Sequence, residues 1–432
     1  MQIKIDHIAK IEGHAGFTAD IAQGNITKAR LDVMEGARLL EGILRDRSIY
    51  EVSQITSRIC GICPVVHNLT SLKALEKALD IEISDETLLL RKLMMMGQII
   101  NSHALHLFFF SLSDFFGIQD DLTLIKKYPA RTKDALAVRE FGNRIIEVIG
   151  GRSIHPLTPT IGGFLKLPDQ KKLGRLFEDS TQVLASAQNL ANLFIKLDYP
   201  KFIRSSPFIS LHHPKEYAIY EGLIKTPTER IESIGDFLKI IKEYQITKSA
   251  VKRSQYQGKP FMVGAISRLN HNHAQLQARA KKLLKLSKIN LPSFNPFHNI
   301  LAQAIEIVHC LEESQNLLKK IMRRSLAQAN NQNQENLVRE SLKRIKTGAK
   351  GVAAIEAPRG TLYYFYEING DGCVKNCNII TPTSQNLARL EEDLTEYLPS
   401  LLGAKNVCKS DCQDKIKMLV RAYDPCLTCA TH

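Results

Sequence analysis

No stretch of this chain is apolar for long enough, without interruption, to lie in lipid. The most apolar run, 88–116, is broken by Arg91, Lys92, Gln98, Asn101, His103, His106 and Asp114. Hydrocarbon does not tolerate such side chains at that density, so the run reads as a buried helix and no membrane span is expected. The first residues, Met1-Gln2-Ile3-Lys4-Ile5-Asp6-His7, carry no apolar signal core and alternate like a strand. Cysteine is scarce: nine in 432 residues, without the spacing of a secreted disulfide framework. That excludes a small disulfide scaffold and points to a reducing compartment, the cytoplasm. Acidic residues are outnumbered, 44 against 58 Lys and Arg, for a formal charge of +14. The surplus lysines (Lys171, Lys172, Lys281, Lys282, Lys285, Lys288) are scattered through helical stretches, and no RNP-like or zinc-finger spacing accompanies them. A solvated basic face accounts for this better than nucleic acid does, with an acidic redox partner as the second reading.

What is present is a chain, 44% hydrophobic, that can bury a large core. Residues 1–34 alternate apolar and polar with a Gly24-Asn25 turn, which predicts a small sheet. From about 37 to 57 the period becomes helical. Pro64 opens a helix to Leu79, where a missing N–H costs nothing. Ser84-Asp85-Glu86 caps a long helix through Phe116. Further helices are predicted at 132–150, 168–197, 272–287, 297–347 in two pieces, 384–402 and 411–422. The Gln- and Asn-rich patch 328–336 reads as an exposed connection. The segment His155 to Gly163 is loop, and 198–268 is irregular with a few strands. Asn369-Gly370-Asp371-Gly372 between 361–368 and 374–380 signals a hairpin. The expectation is a mainly α (α+β) fold, a central bundle of long helices with small peripheral β-sheets. It would form a single unit over 1–432: a β region at 1–34, a helical core at 37–350, and a hairpin with a tail at 355–432.

The chemistry sits at the two ends. Cys60-Gly61-Ile62-Cys63 and Cys426-Leu427-Thr428-Cys429 each place two thiols at a spacing that can face one metal. Neither pair closes a site alone. Together they supply four thiolates, a soft and electron-rich donor set. A redox disulfide explains one pair, and a structural four-cysteine zinc explains both. A zinc ribbon, however, keeps its pairs close in sequence, whereas here most of the chain separates them. Arg58 and His67 flank the first pair, Asp424 and His432 the second, a polar collar that structural zinc does not need.

Arg58-x-Cys60-Gly61-x-Cys63-x-x-x-His67 with Asp424-Pro425-Cys426-x-x-Cys429-x-x-His432 resembles the paired signature of the large subunit of nickel–iron hydrogenases. Lys10-Ile11-Glu12-Gly13-His14, Gly151-Arg152-x-x-His155-Pro156 and Glu356-Ala357-Pro358-Arg359-Gly360 also match that family, in family order. Gly360-Thr361-Leu362-Tyr363-Tyr364 and Arg421-Ala422-Tyr423 look most like its cytoplasmic, cofactor-coupled branch: NAD(P)-linked, sulfur-reducing and viologen- or heterodisulfide-linked enzymes.

The resemblance implies reversible splitting of dihydrogen at a Ni-Fe centre. Cys60 and Cys426 would be terminal nickel ligands, and Cys63 and Cys429 would bridge to an iron carrying carbonyl and cyanide. Pro358 and Arg359 would line the open side, Glu12 would relay protons, and Asp114 and Asp424 are candidate partners for Arg359. His67 would hydrogen-bond near a bridging thiolate, and His155 would lie toward the partner subunit. Glu41 and His432 would hold a second ion, magnesium or iron. Electrons would leave through an obligate small subunit bearing Fe-S clusters, since this chain lacks ferredoxin spacing. Flavin/NAD(P) or heterodisulfide-type subunits would follow it. Nickel chaperones and a maturation endopeptidase, cutting after His432, would act on the precursor, so an end at His432 is what the mature form would show. Two other readings remain open at this point: a non-catalytic complex-I-like relative, which would have lost the four cysteines, and an unrelated zinc or thiol–disulfide protein. Cys373, Cys377, Cys408 and Cys412 form two Cys-x-x-x-Cys pairs the family does not require; they could bind a further metal or form labile disulfides. Cys310, in a helix, is read as core.

Overall fold

The structure is a computed structural model and describes residues 2–22, 25–118, 120–226, 231–247, 249–324, 331–345, 348–402 and 409–431. Four long helices make its centre: Asp85–Leu105, Pro129–Gly150, Gln170–Ile195 and His298–Met322. Each packs on two of the others, closing a ring. Ser84 accepts a hydrogen bond from the Thr87 N–H, and Asp85 and Glu86 occupy the first turn, so the start of the Asp85 helix is capped and charge-matched. That helix runs on through a π-helical turn, His106–Ser111, to Phe116. Among the described residues, Asp85–Phe116 is the one helix long and apolar enough to cross a membrane, and 78% of its most apolar window is buried inside the protein. Leu90, Leu93, Met94, Ile99 and Ile100 have no exposed surface. The reading of a core helix therefore holds.

Small sheets lie around the bundle. Gln2–Ile5, Ala15–Ala22 and Asn25–Val33 form an antiparallel meander. Gly24, predicted in its turn, falls outside the described residues. The C-terminal sheet has three strands rather than the predicted two: Ala349–Ala357 pairs with Gly360–Ile368, which pairs with Val374–Ile380. The first was missed because alanine and glycine dominate it, and both are poor strand formers. It persists because the Pro64–Leu79 helix covers its face.

Other differences are local. The 37–57 stretch is two helices, Leu40–Leu44 and Ile49–Ser57, and a short helix Asp121–Lys127 precedes Pro129. Ala265–Asn272 is a helix that starts inside the 198–268 stretch read as irregular and runs past its end, and the predicted 272–287 helix begins only at Ala278. The 328–336 patch lies partly outside the described residues, and its remainder, from Asn331, is helix rather than connection.

His309, 2% exposed on the His298–Met322 helix, accepts a hydrogen bond at Nδ1 from the Gln277 N–H (3.1 Å). Burial holds it down to about 4. The unfolded chain takes up that proton near pH 6.5 while the folded chain refuses it, so the contribution is complete above pH 6.5 and lost as pH falls toward 4. By pH 5 the loss is about 2 kcal/mol. Burial also lowers His103, which adds in the same direction. The denaturation midpoint is expected to fall between pH 7 and pH 5, less steeply in His309→Asn; identical slopes would refute this source.

Candidate metal centre

The Pro64–Leu79 helix begins at Cys63, its N-cap, with Pro64 at the first position. The preceding loop folds back so that the Ile62 and Cys63 N–H groups both point at Cys60 Sγ, each 3.3 Å away. Gln98, from the central bundle, locks that loop: its Nε2 donates to Ile62 O (2.6 Å) and its Oε1 accepts from the Val65 N–H (3.1 Å). The second pair arrives on the C-terminal tail. Cys426 caps the short Leu427–Ala430 helix, and its N–H donates to Thr383 Oγ1 at 3.0 Å. The tail is laid against the N-terminal region backbone to backbone: Glu12 N–H to Pro425 O (3.3 Å), Leu427 N–H to Glu12 O (2.9 Å). Arg38 donates to both Ile59 O and Thr428 O, tying one cysteine motif to the other.

The four sulfurs converge within 4.8 Å of one another, all buried. Cys60 lies 3.6 Å from Cys426, Cys63 3.2 Å from Cys429, and Cys426 2.8 Å from Cys429. Four thiols this close cannot all ionise without a cation. They split: hydrogen bonding from Cys426 holds Cys60 well below the ordinary thiol range, and Cys426 is also lowered, burial opposing its charge but bonding from Cys429 and Cys63 together prevailing. Cys63 is raised, chiefly through its hydrogen bond with Cys426, and Cys429 chiefly by burial. Soft thiolates in a dry pocket suit a redox-active late transition metal. Beside Cys63 and Cys429 the pocket is walled by Val66, Pro358, Leu362 and Pro382, an apolar recess fit for small uncharged or anionic ligands on a metal.

Polar groups stand at the rim. Glu12 sits beside Cys426, its Oε1 3.4 Å from Thr428 Oγ1. Burial first, then the Cys426 charge, raise its carboxyl above the ordinary range, with Arg359 opposing. Arg359 lines the pocket and is held by Asp424: Nε to the carbonyl (2.7 Å), a terminal nitrogen to Oδ1 (2.9 Å). Asp424 adopts a left-handed backbone (φ 49°) and also accepts from Gln303 Nε2 (3.0 Å). The other Arg359 terminal nitrogen is 3.5 Å from Ser102 Oγ. Its charge is kept despite burial because Asp424 and the thiolates face it. His67 lines the pocket, with Nδ1 2.7 Å from Tyr364 Oη.

Asp114, read as a possible second partner for Arg359, is not one. It pairs with Arg421, because the π-helical turn rotates the end of its helix toward the Lys409–Ala422 helix. Burial pushes it up to about 6 even so. Glu41 Oε1 accepts from the Ile379 N–H (2.9 Å), and Oε2 is 3.4 Å from Lys252 Nζ; His432 lies outside the described residues. His155 is half-buried with Nδ1 2.9 Å from Ser57 O. Cys408 also lies outside the described residues. Cys373, Cys377 and Cys412 are free thiols, and among the described residues they join no cluster of potential ligands. Cys310 is buried, as read. Gln98, Thr383, Thr428 and Arg38 were not singled out as site residues. One signal was available: Gln98 is among the polar residues that interrupt the apolar 88–116 run.

Four buried cysteine sulfurs, a rim carboxyl biased toward holding a proton and a fixed guanidinium define a redox metalloenzyme that handles protons at the metal. The description "nickel-dependent hydrogenase" matches residues 38–137 and 212–432. The chain is 34% identical to sulfhydrogenase 1 subunit alpha of Pyrococcus furiosus over 100% of its own length and 98% of that protein. It is 25% identical to the NAD-reducing hydrogenase HoxS subunit beta of Cupriavidus necator, covering 100% and 94%. A crystal structure of an NAD+-reducing NiFe hydrogenase in its H2-reduced state matches over 100% of this chain and 99% of that one, with TM-score 0.88 and 25% identity. This chain belongs to the nickel-dependent hydrogenase family, as its large subunit, and its four cysteines are suited to a Ni-Fe site at which dihydrogen is activated. The complex-I-like and zinc-protein readings are thereby set aside.

Proposed function

We propose that Cys60 and Cys426 are terminal nickel ligands and Cys63 and Cys429 bridge to an iron carrying carbonyl and cyanide. The observation that carries this is the convergence of four buried sulfurs beside an apolar recess closed by Pro358 and Arg359. When bound, such a centre supplies heterolytic activation of dihydrogen. This chain's residues do the rest. Glu12 takes the proton at its carboxylate, poised by burial beside Cys426. Arg359, kept cationic and immobile by Asp424, presents fixed positive charge to the open side of the site. His67 donates toward the Cys63–Cys429 edge when Tyr364 fixes its ring. Dihydrogen gives two protons and two electrons, and the electrons pass to a small subunit with Fe-S clusters.

Flavin/NAD(P) or heterodisulfide-type subunits would take the electrons onward, a reading supported by the NAD-reducing relative. A cytoplasmic setting agrees with that relative and with eight free cysteines among the described residues. Magnesium or iron at Glu41 and His432, His155 facing the small subunit, and nickel chaperones with an endopeptidase acting before assembly complete the proposal. So does the organisation of 1–432 as one unit. The test is metal analysis of the chain purified with its partners: about one nickel per chain, iron in excess, and infrared bands of bound carbonyl and cyanide. Zinc without nickel in an active preparation would overturn the assignment.

A further inference from the structure

The turn that carries Pro358 and Arg359 lines the metal pocket, where Asp424 holds the tip of the Arg359 side chain; the turn's backbone needs its own support. Behind the turn lies a charge network with no exposed surface at all: Arg268, Glu306, Glu356 and His103. Arg268 projects from the Ala265–Asn272 helix. Its two terminal nitrogens donate to the carbonyls of Ala357 (2.8 Å) and Pro358 (2.9 Å), the two peptide units just before Arg359. The same guanidinium meets Glu356 Oε2 (3.0 Å) and both oxygens of Glu306 (2.7 Å each). Glu356 also accepts from Thr361 Oγ1 (2.6 Å) on the far side of the turn. Glu306 is fixed in turn by His103 Nε2 (2.8 Å) and the Tyr217 hydroxyl (2.6 Å). His103 neighbours Ser102, which touches Arg359 directly.

The backbone repeats the arrangement. Gly264, where the Arg268 helix starts, and Gly360, where the turn ends, are both at positive φ (121° and 133°). A Cβ on Gly360 would lie 2.9 Å from Gly264 N, and one on Gly264 would lie 3.4 Å from Arg359 O. The helix start and the turn therefore touch backbone to backbone, an approach that two glycines permit. Burial works against the Glu306 charge, but Arg268 more than offsets it and keeps the carboxylate ionised.

We propose that Arg268 is the positioning residue for Arg359: its guanidinium, anchored by Glu306 to two bundle helices, holds the Ala357–Pro358 peptides and so sets where the Arg359 side chain stands over the metal pocket. Arg268 itself touches none of the four cysteines. It cannot pass protons, since a guanidinium keeps its own. Its task needs the planar fork, because one group must reach two carbonyls and two carboxylates at once, which a lysine ammonium does not do. The proposal rests on the reading of Arg359 given above.

The experiment compares the assembled complex carrying Arg268→Lys, Arg359→Lys or Arg253→Lys. Arg253 is a comparably buried arginine whose guanidinium bonds to Glu391 (2.8 Å), Ser249 and Val251; its variant reports the cost of losing any buried guanidinium. Readouts are dihydrogen oxidation per bound nickel, carbonyl and cyanide stretching bands, and amide hydrogen exchange of the peptide spanning 353–362. Arg268→Lys is expected to lower kcat per nickel about 10- to 100-fold with the KM for dihydrogen little changed. Its infrared bands should shift, and the 353–362 peptide should exchange faster. Arg253→Lys should match the wild type on all three. Activity per nickel within twofold of wild type and unmoved bands in Arg268→Lys overturn the proposal while Arg359→Lys is impaired. Full activity of Arg359→Lys would instead remove the underlying reading. Should Arg268→Lys not accumulate, Glu356→Gln, which weakens the same grip on the turn, decides by the same readouts.

Discussion

Glu12→Gln is expected to lower hydrogen–deuterium exchange by roughly 10²–10⁴-fold while nickel and iron stay bound. The side chain is half-buried beside Cys426, and glutamine fills the same volume, so the backbone pairing of Glu12 with Pro425 and Leu427 is kept. What disappears is the rim carboxyl beside Cys426 that burial and the Cys426 charge bias toward holding a proton. Because the bias comes first from burial and second from the Cys426 charge, it acts only next to the site. Glu12→Asp keeps the chemistry but withdraws the group, and partial activity is expected. Exchange in Glu12→Gln within threefold of wild type, with full metal content, would show that protons leave by another route.

The legibility of this site in the sequence differed with the kind of contact. The cysteine pairs and Glu12 were readable because each carries its chemistry in a short motif, and the fold brings the ends together through direct backbone pairing at 12 and 425–427. The long helices were readable from period and caps. The strand Ala349–Ala357 and the helix Ala265–Asn272 were not. The first has little strand propensity of its own and is stabilised by the helix lying over it; the second is short and follows a glycine at positive φ. Asp114, one of two candidate partners for Arg359, pairs instead with Arg421 for a related reason. A π-helical turn inside an otherwise regular helix changes which face its last turn presents, and no simple period announces it. Apart from Asp114, the polar residues that interrupt the apolar 88–116 run were read only as evidence against lipid. Gln98 holds the first cysteine loop, His103 meets Glu306, and Asp114 meets Arg421. In a buried helix each such residue needs a partner, so each marks a place where the helix reaches something polar.

The largest expected effect on stability is that of Gly351→Val. Gly351 lies in the strand Ala349–Ala357, opposite Tyr366 and beneath the Pro64–Leu79 helix. A Cβ there would stand 2.0 Å from the carbonyl oxygen of Ala74 and 2.5 Å from the nitrogen of Ala78. Both are helix backbone, which cannot step aside as a side chain can. Ordinary overpacking costs about 1–3 kcal/mol; with backbone on both sides of the clash, the loss should exceed about 3 kcal/mol. The consequence reaches the metal. The same helix–sheet interface is pinned by Ser71 Oγ to Tyr366 Oη (2.9 Å) and by His67 to Tyr364 (2.7 Å), and the helix begins at Cys63. Lifting the helix off the sheet moves Cys60 and Cys63 away from Cys426 and Cys429, so any folded Gly351→Val protein should also be short of nickel. Gly174→Ala is the contrasting case. Gly174 lies in the Gln170–Ile195 helix with nothing within 4 Å of its Cβ position. Alanine there should stabilise by about 0.5–1 kcal/mol through lower backbone entropy in the unfolded chain. Thermal unfolding midpoints that move in opposite directions for the two variants are the expected result. A Gly351→Val protein as stable as wild type would mean that the helix and strand do not approach this closely.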